Sequence, residues 1–130
     1  MMIPPLPGRV ISGVFSSADA SGLSEANSRF ALYDTSRNAI SSLAANEQVI
    51  ITDIQVIVED GLAVNVYDGA DTSVAAGENI ASATLPDGGG FVRSLQTPHF
   101  CTLATFPKIK TSGAGQINAH INGYIVRHGQ

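Results

Sequence analysis

The stretch VIITDIQVIVEDGLAVNVYD, residues 49–68, decides the fold class. Residues 49–59 alternate between apolar and polar side chains, and this spacing of two is typical of a half-buried strand. The apolar face holds Ile50, Ile54, Val56 and Val58, with Thr52 among them, and the polar face holds Asp53, Gln55 and Glu59. Residues 62–68 alternate in the same way, and Asp60-Gly61 between the two runs is a turn signal. The stretch therefore predicts a β-hairpin.

Short strands are also predicted on both sides of this hairpin. They cover residues 9–15, 29–34, 79–85, 91–96, 105–111 and 116–127, whereas 17–28 and 72–79 read as loops and 38–45 fit either a helical turn or an extended segment. The last strand places Ile117, Ala119, Ile121, Gly123 and Ile125 on one face. Because turn signals separate the strands and no long helix is apparent, we expect an all-β fold, an antiparallel β-sandwich or jelly roll.

Composition restricts the class of protein further. The chain has 130 residues, enough for one domain, and its 44% hydrophobic and 14% charged content argues against disorder. No apolar run approaches the roughly 18 residues of a membrane-spanning helix, and the N-terminus lacks the pattern of a secretion signal. A net charge of −4 argues against nucleic-acid binding, which needs a basic face. We therefore expect neither a membrane nor a nucleic acid as partner.

The N-terminal residues 1–8, MMIPPLPG, predict an extended arm, because each proline biases its predecessor toward β or polyproline II conformation. The expected organisation is an arm over residues 1–8 and a single β-sandwich domain over 9–130. An extended apolar arm loses little entropy when it docks. The residues expected to contact a partner or a neighbouring subunit are Ile3, Pro4, Pro5, Leu6, Pro7 and Arg9; the alternative is that the arm folds back on its own sandwich.

Histidine and cysteine are the strongest candidates for metal ligands or catalytic residues in this sequence. His99 and Cys101 are two residues apart, so on a strand they would share a face and could bind one metal ion, but no spacing motif supplies a third ligand. A nucleophilic Cys101 would need a helix N-terminus or a cation to lower its pKa, and the sequence offers no helix nearby. His120 is expected on the polar face of the last strand. We therefore predict no catalytic residue, no cofactor and no metal site, and leave open whether these three side chains bind a metal.

Acidic side chains could in principle hold calcium or act as a carboxylate pair. They are Asp53, Glu59, Asp60, Asp68 and Asp71. Their spacing departs from a calcium-binding loop, and turn aspartates usually bond to their own backbone. The sequence therefore predicts a protein that is not an enzyme.

Three segments together resemble a known group of proteins. They are QVIITDIQVIVEDGLAVNVYDG at 48–69, a glycine-rich turn before FVRSL at 91–95, and SGAGQINAHINGYIV at 112–126. This pattern is similar to the small jelly-roll capsid decoration (cement) proteins of tailed bacteriophages, over about residues 46–127. The resemblance implies a structural virion protein, a homotrimer on the outer surface of an icosahedral capsid, which bridges subunits of the major capsid protein and has no active site.

Other roles stay open at this point. A carbohydrate- or receptor-binding β-sandwich, such as a fibre tip or a lectin, is the main alternative, although sugar sites usually stack rings on aromatic side chains and this chain has no Trp. A tail, neck or fibre role within the virion is a further alternative. The resemblance does not extend to the first 45 residues, so the role of the arm is not implied by it.

Overall fold

The computed structural model describes residues 9–69 and 78–129. These residues contain nine β-strands and one turn of 3-10 helix, Ala26–Ser28. The strands are β1 (Arg9–Asp19), β2 (Ala31–Asp34), β3 (Ala39–Ile40), β4 (Glu47–Val58), β5 (Leu62–Tyr67), β6 (Asn79–Leu85), β7 (Gly90–Phe100), β8 (Lys108–Thr111) and β9 (Ala114–Arg127). Over these residues no helix has the length and apolar character needed to cross a membrane. The predicted arm, residues 1–8, and most of the predicted loop over 72–79 lie outside the described residues.

The strands form two antiparallel sheets. One has six strands in the order β3-β2-β1-β9-β4-β7, and the other has three in the order β6-β5-β8. Inward-facing side chains of both sheets form one buried cluster, which includes Ile54 and Val56 of β4, Val64 and Val66 of β5, and Ile121 of β9. The prediction of an all-β antiparallel sandwich is therefore confirmed, whereas the jelly-roll arrangement is not confirmed by this division into six and three strands.

The predicted hairpin over residues 49–68 is wrong. β4 pairs with β7 and β9, whereas β5 pairs with β6 and β8, so the Asp60-Gly61 turn carries the chain from one sheet to the other. Both strands alternate as the sequence predicts, and both bury their apolar side in the common core. Two strands that face each other across a core show the same alternation as two strands paired in one sheet, and the pattern therefore does not distinguish them.

The predicted face of β4 is also wrong at its N-terminal end. The register of β4 against β9 shifts between Ile51 and Asp53, because Thr52 is an extra residue in β4, a β-bulge. Before the bulge Val49 and Ile51 point into the core, and Ile50 points outward; after it Ile54 points inward. Ile50 and Ile54 thus lie on opposite faces of the sheet rather than on one.

Other strands agree more closely with the sequence. β6 covers residues 79–85 as predicted, and the predicted face of β9 is the buried one, with Ile117 and Ile121 almost fully inaccessible. β1 is longer than predicted and runs into the expected loop, because Ser16 and Ser17 continue to pair with Asn118 and Ile117 of β9. β8 starts only after Pro107, whose ring removes a backbone donor.

Candidate functional site

The outer side of the six-stranded sheet, the side that points away from the core, carries apolar side chains at aligned positions. The register across β1, β9, β4 and β7 gives one row of Val10, Tyr124, Ile50 and Phe100, and another of Val14, His120, Gln55 and Val92. Six large apolar side chains are exposed within the described residues, and five of them lie on this side: Val10, Val14, Ile57, Val92 and Phe100. We call this surface the outer face.

A polar row separates these two rows of the outer face. It consists of Ser12, Asn122, Asp53 and Ser94. The Asp53 carboxylate accepts a hydrogen bond from Ser94 Oγ at 2.8 Å and another from Thr52 Oγ1 at 2.9 Å. Asp53 and His120 are the side chains of these three rows that can carry charge near neutral pH. A partner that covers the outer face therefore has few charges to desolvate.

The outward side of the three-stranded sheet differs in chemistry. Asn65 lies in register with Ser82 and Lys110, and Ala63 lies in register with Thr84. These side chains are small or polar, and they form no large apolar patch among the described strands of that sheet. The two exterior surfaces of the sandwich are thus unequal, and the apolar one is the better candidate for contact with another protein.

Arg9, the part of the predicted contact set that is described, is engaged within its own chain. Its Nη2 lies 3.1 Å from Glu47 Oε2, and Arg127 Nη2 lies 3.3 Å from the same oxygen. Glu47 is buried, and the Ala44 N–H that donates to Oε1 lowers the pKa of this carboxyl, with both arginines adding to that effect against the cost of burial. The Arg9 side chain remains 48% exposed, so its contact with a partner stays a prediction. Ile3, Pro4, Pro5, Leu6 and Pro7 lie outside the described residues.

A second cluster lies at one end of the sandwich, where the chain leaves β5 and β7. Asp68 follows β5, His99 is near the end of β7, and Cys101 follows β7. The carboxylate, imidazole and thiol ligand atoms of these residues all lie within 4.8 Å of one another, and His99 Nε2 is 3.4 Å from Asp68 Oδ2. Asp68 and Cys101 are buried, and the His99 side chain is 24% exposed. We call these three residues the ligand cluster.

The sequence identified two members of the ligand cluster and missed the third. His99 and Cys101 were recognised as neighbours on one face, but Asp68 belongs to the other sheet and is 31 residues away from His99. No local spacing could have found it, since only the packing of the two sheets brings it close. The other acidic side chains considered do not join it: Asp53 lies on the outer face, Glu59 is exposed after β4, Asp60 is near Gly115 at the start of β9, and Asp71 is outside the described residues.

A buried lysine next to the ligand cluster was not predicted. Lys108 is fully inaccessible to solvent, and its ammonium group donates hydrogen bonds to the carbonyl oxygens of Gly69 and Phe106. Lys108 Nζ also lies 3.1 Å from Glu25 Oε1, and Arg29 donates two hydrogen bonds to the same carboxylate. Arg29, first among the causes, and then Lys108 lower the pKa of Glu25. A buried ammonium is costly unless it is paired, and here it has three oxygen partners.

Nucleophilic chemistry at Cys101 is disfavoured by its surroundings. Burial raises the pKa of the Cys101 thiol, and the nearby Asp68 carboxylate raises it further, while Lys108 opposes the shift. A catalytic cysteine needs the opposite change, because the thiolate is the nucleophile.

His120, the other candidate, lies on the outer face beside a shallow depression of about 300 Å³ that is also lined by Asp53, Gln55, Val92 and Asn122.

No family model matches the chain, and no curated protein matches it. Among solved structures, it is similar to a chain of the virus-like particle of extra small virus from the giant freshwater prawn Macrobrachium rosenbergii, determined by cryo-electron microscopy. The identity is 12%, and the match covers 99% of this chain and 86% of the other, with a TM-score of 0.30. A TM-score this low supports no inference about fold or function.

Proposed function

We propose that this chain is a non-enzymatic structural protein of a virus particle, a homotrimer that sits on the outside of an icosahedral phage capsid and bridges major capsid protein subunits. The observation that carries the proposal is the outer face, on which exposed apolar side chains of β1, β4 and β7 share one surface. The resemblance of residues 46–127 to phage decoration proteins supplies the kind of particle.

The chemistry of the outer face supports contact with another copy of this chain. Val92 is 75% exposed and Phe100 is 56% exposed, so their apolar surface is removed from solvent only when another molecule covers it. Burial of such surface contributes about 25 cal/mol per Å². Because Asp53 and His120 are the chargeable side chains of its three rows, a copy that covers the face has few charges to desolvate. A closed threefold ring would satisfy such a contact on every subunit and leave no open fibre.

The N-terminal segment has a separate part in the proposal. Residues 1–8 form an arm outside a sandwich domain of residues 9–130, and the apolar residues Ile3 to Pro7 contact a neighbouring subunit or the major capsid protein. We infer the virion as the place where the assembled protein functions.

Light scattering coupled to size exclusion tests the self-association. We expect a mass of three times 13.5 kDa for the wild type and 13.5 kDa for Val92→Asp, because the variant would bury an unpaired carboxylate in the interface. Ser82→Asp is the matched control, since it adds the same charge to the polar exterior of the other sheet, and it should remain trimeric. Thermal melting of both variants should be close to that of the wild type if each side chain is exposed in the folded subunit.

Two results would contradict this proposal. A wild type that stays monomeric at millimolar concentration and does not sediment with capsids assembled from the major capsid protein would remove the virion role. A Val92→Asp protein that remains trimeric would show that the outer face is not the contact. Specific hits on a glycan array would instead favour the carbohydrate-binding alternative.

A further inference from the structure

We propose that Asp68, His99 and Cys101 bind a zinc ion that ties the two sheets of the sandwich together. The proposal is independent of the virion role, because it concerns how one subunit is held together. It assigns a ligand of stated chemistry to a cluster that the outer face and the arm do not use.

The arrangement of the ligand atoms fits one metal ion. In a tetrahedral zinc site, the nitrogen and oxygen ligands lie about 2.0–2.2 Å from the metal and sulfur about 2.3 Å, so two ligand atoms of one ion lie roughly 3.3–3.6 Å apart. His99 Nε2 and Asp68 Oδ2 are already separated by 3.4 Å. The three ligand atoms lie within 4.8 Å of one another, so small side-chain adjustments close the site.

A buried acceptor without a partner gives independent support. Asp68 is 2% exposed, and its Oδ1 has no hydrogen-bond partner among the described residues. Its other oxygen, Oδ2, accepts a hydrogen bond from the Thr102 N–H at 2.8 Å. A buried carboxylate oxygen that receives no donor is costly, and such an atom in a native structure calls for a ligand. A cation held by both oxygens of the Asp68 carboxylate would give Oδ1 the partner that it lacks, and the Thr102 N–H bonded to Oδ2 would orient the carboxylate.

The backbone around the cluster holds the ligands in place. The Cys101 N–H donates to the Val49 carbonyl at 2.9 Å, and Gln48 Nε2 donates to the Cys101 carbonyl at 2.6 Å. The Asp68 N–H donates to the Glu78 carbonyl at 3.0 Å. Both buried ligands are therefore fixed by main-chain hydrogen bonds before any ion arrives, which reduces the entropy lost on binding.

The donor set selects the metal. A thiolate, an imidazole and a carboxylate suit zinc, whereas calcium and magnesium prefer oxygen ligands alone. The thiol proton of Cys101 passes to solvent as the sulfur binds the ion, so one proton is released for each metal bound at this position. The partial exposure of His99 gives the ion a path to the site, and water completes the fourth position.

The chain contains one cysteine, which makes cobalt a decisive probe. The untagged full chain is stripped with EDTA and titrated first with Zn²⁺, followed by calorimetry, and separately with Co²⁺, followed by absorption spectroscopy. We expect one metal per chain and, with Co²⁺, a thiolate-to-cobalt charge-transfer band that only Cys101 can produce. The absence of that band, or the absence of zinc binding at micromolar concentration, would overturn the proposal in the wild type, without reliance on any variant.

Paired variants locate the site. His99→Gln and Asp68→Asn should each weaken zinc binding by roughly tenfold or more, which is a large change for the loss of one ligand. The matched controls are His120→Gln and Asp53→Asn, which remove the same side chains from the outer face and should leave the affinity within about twofold of the wild type. Zinc should also raise the melting temperature of the wild type and of the controls but not of His99→Gln. Unchanged affinity in His99→Gln, or an equal loss in His120→Gln, would overturn the assignment.

Discussion

Substitution of Gly123 by alanine tests how closely β9 approaches β4 beside the bulge. A Cβ placed on Gly123 would lie 1.9 Å from the carbonyl oxygen of Ile50 and 3.1 Å from Cα of Ile51. Cβ atoms essentially never approach another heavy atom closer than 3.0 Å, so the strands would have to separate by about 1.1 Å, the difference between 3.0 Å and 1.9 Å. The atom in the way is main chain and has no rotamer by which to move aside.

The size of the effect follows from this separation. A hydrogen bond of about 2.9 Å that lengthens by 1 Å is no longer a hydrogen bond. Loss of two ladder bonds at about 1 kcal/mol each, together with poorer packing of the buried Ile51 and Ile121, predicts a decrease of about 2–4 kcal/mol in the free energy of unfolding. This is a large part of the total of about 5–15 kcal/mol that is usual for a domain.

Urea denaturation followed by circular dichroism measures this change. Gly22→Ala is the matched control, because a Cβ at Gly22 meets nothing within 4 Å. The control should be neutral or stabilise by up to about 1 kcal/mol, since alanine restricts the unfolded chain. A Gly123→Ala protein within about 0.5 kcal/mol of the wild type would refute the close approach and, with it, the placement of the bulge.

Two further predictions concern buried charges. Lys108→Met should lower the free energy of unfolding by about 2–4 kcal/mol, because it leaves the buried carbonyls of Gly69 and Phe106 without their donor. Arg37→Met, which removes an exposed cation, is the control, and equal small losses in urea titrations of the two variants would contradict the role of Lys108. Glu47→Gln should cost about 0.5–1 kcal/mol at neutral pH, since both arginine partners are about half exposed or more. The pKa of Glu47 is lowered in the folded chain, so its ionised form stabilises the protein above its ordinary value of 4.5, and this stabilisation is lost as pH falls through the folded pKa. The difference between wild type and Glu47→Gln in pH-dependent melting should therefore shrink toward acid pH; a constant difference would exclude ionisation of Glu47 as its cause, and Glu59→Gln controls for loss of one charge.

The alternation of apolar residues predicted the strands well but did not predict how they pair. β6 and β9 were placed correctly because turn residues bound them and their patterns are regular. The partner of β4 could not be predicted, since a strand facing another across the core and a strand paired beside it both require the same alternation. The face of Ile50 was missed because the extra residue, Thr52, carries no turn signal of its own.

The candidate sites, like the strands, could be predicted from the sequence only in part. The nearness of His99 and Cys101 was predictable, because it depends on a separation of two residues along an extended chain. The nearness of Asp68 and Lys108 to this pair was not predictable, because it depends on the three-stranded sheet packing against the six-stranded one. The outer face was also missed: Val10, Val14 and Val92 come from separate strands, and they form one surface only when β1, β9, β4 and β7 adopt their observed order.

One irregularity in the six-stranded sheet shapes both candidate sites. At Thr52 the phase of β4 changes, which turns Ile50 to the outer face between Tyr124 and Phe100. Opposite the same point of β4, four residues of β7 lie between Ser94 and His99, which pair with Asp53 and Ile51. Only one residue of β4 lies between those two partners. β7 resumes its pairing with His99 opposite Ile51, and the Cys101 N–H then bonds to the Val49 carbonyl, which sets both ligands beside Asp68. A regular β4–β7 ladder continued from Asp53 and Ser94 would instead place Thr97 opposite Ile50 and His99 opposite Gln48, and it would move Cys101 past the N-terminal end of β4. The bulge therefore joins the two proposals physically, since an alteration of β4 at Thr52 should change both the apolar outer face and the geometry of zinc binding.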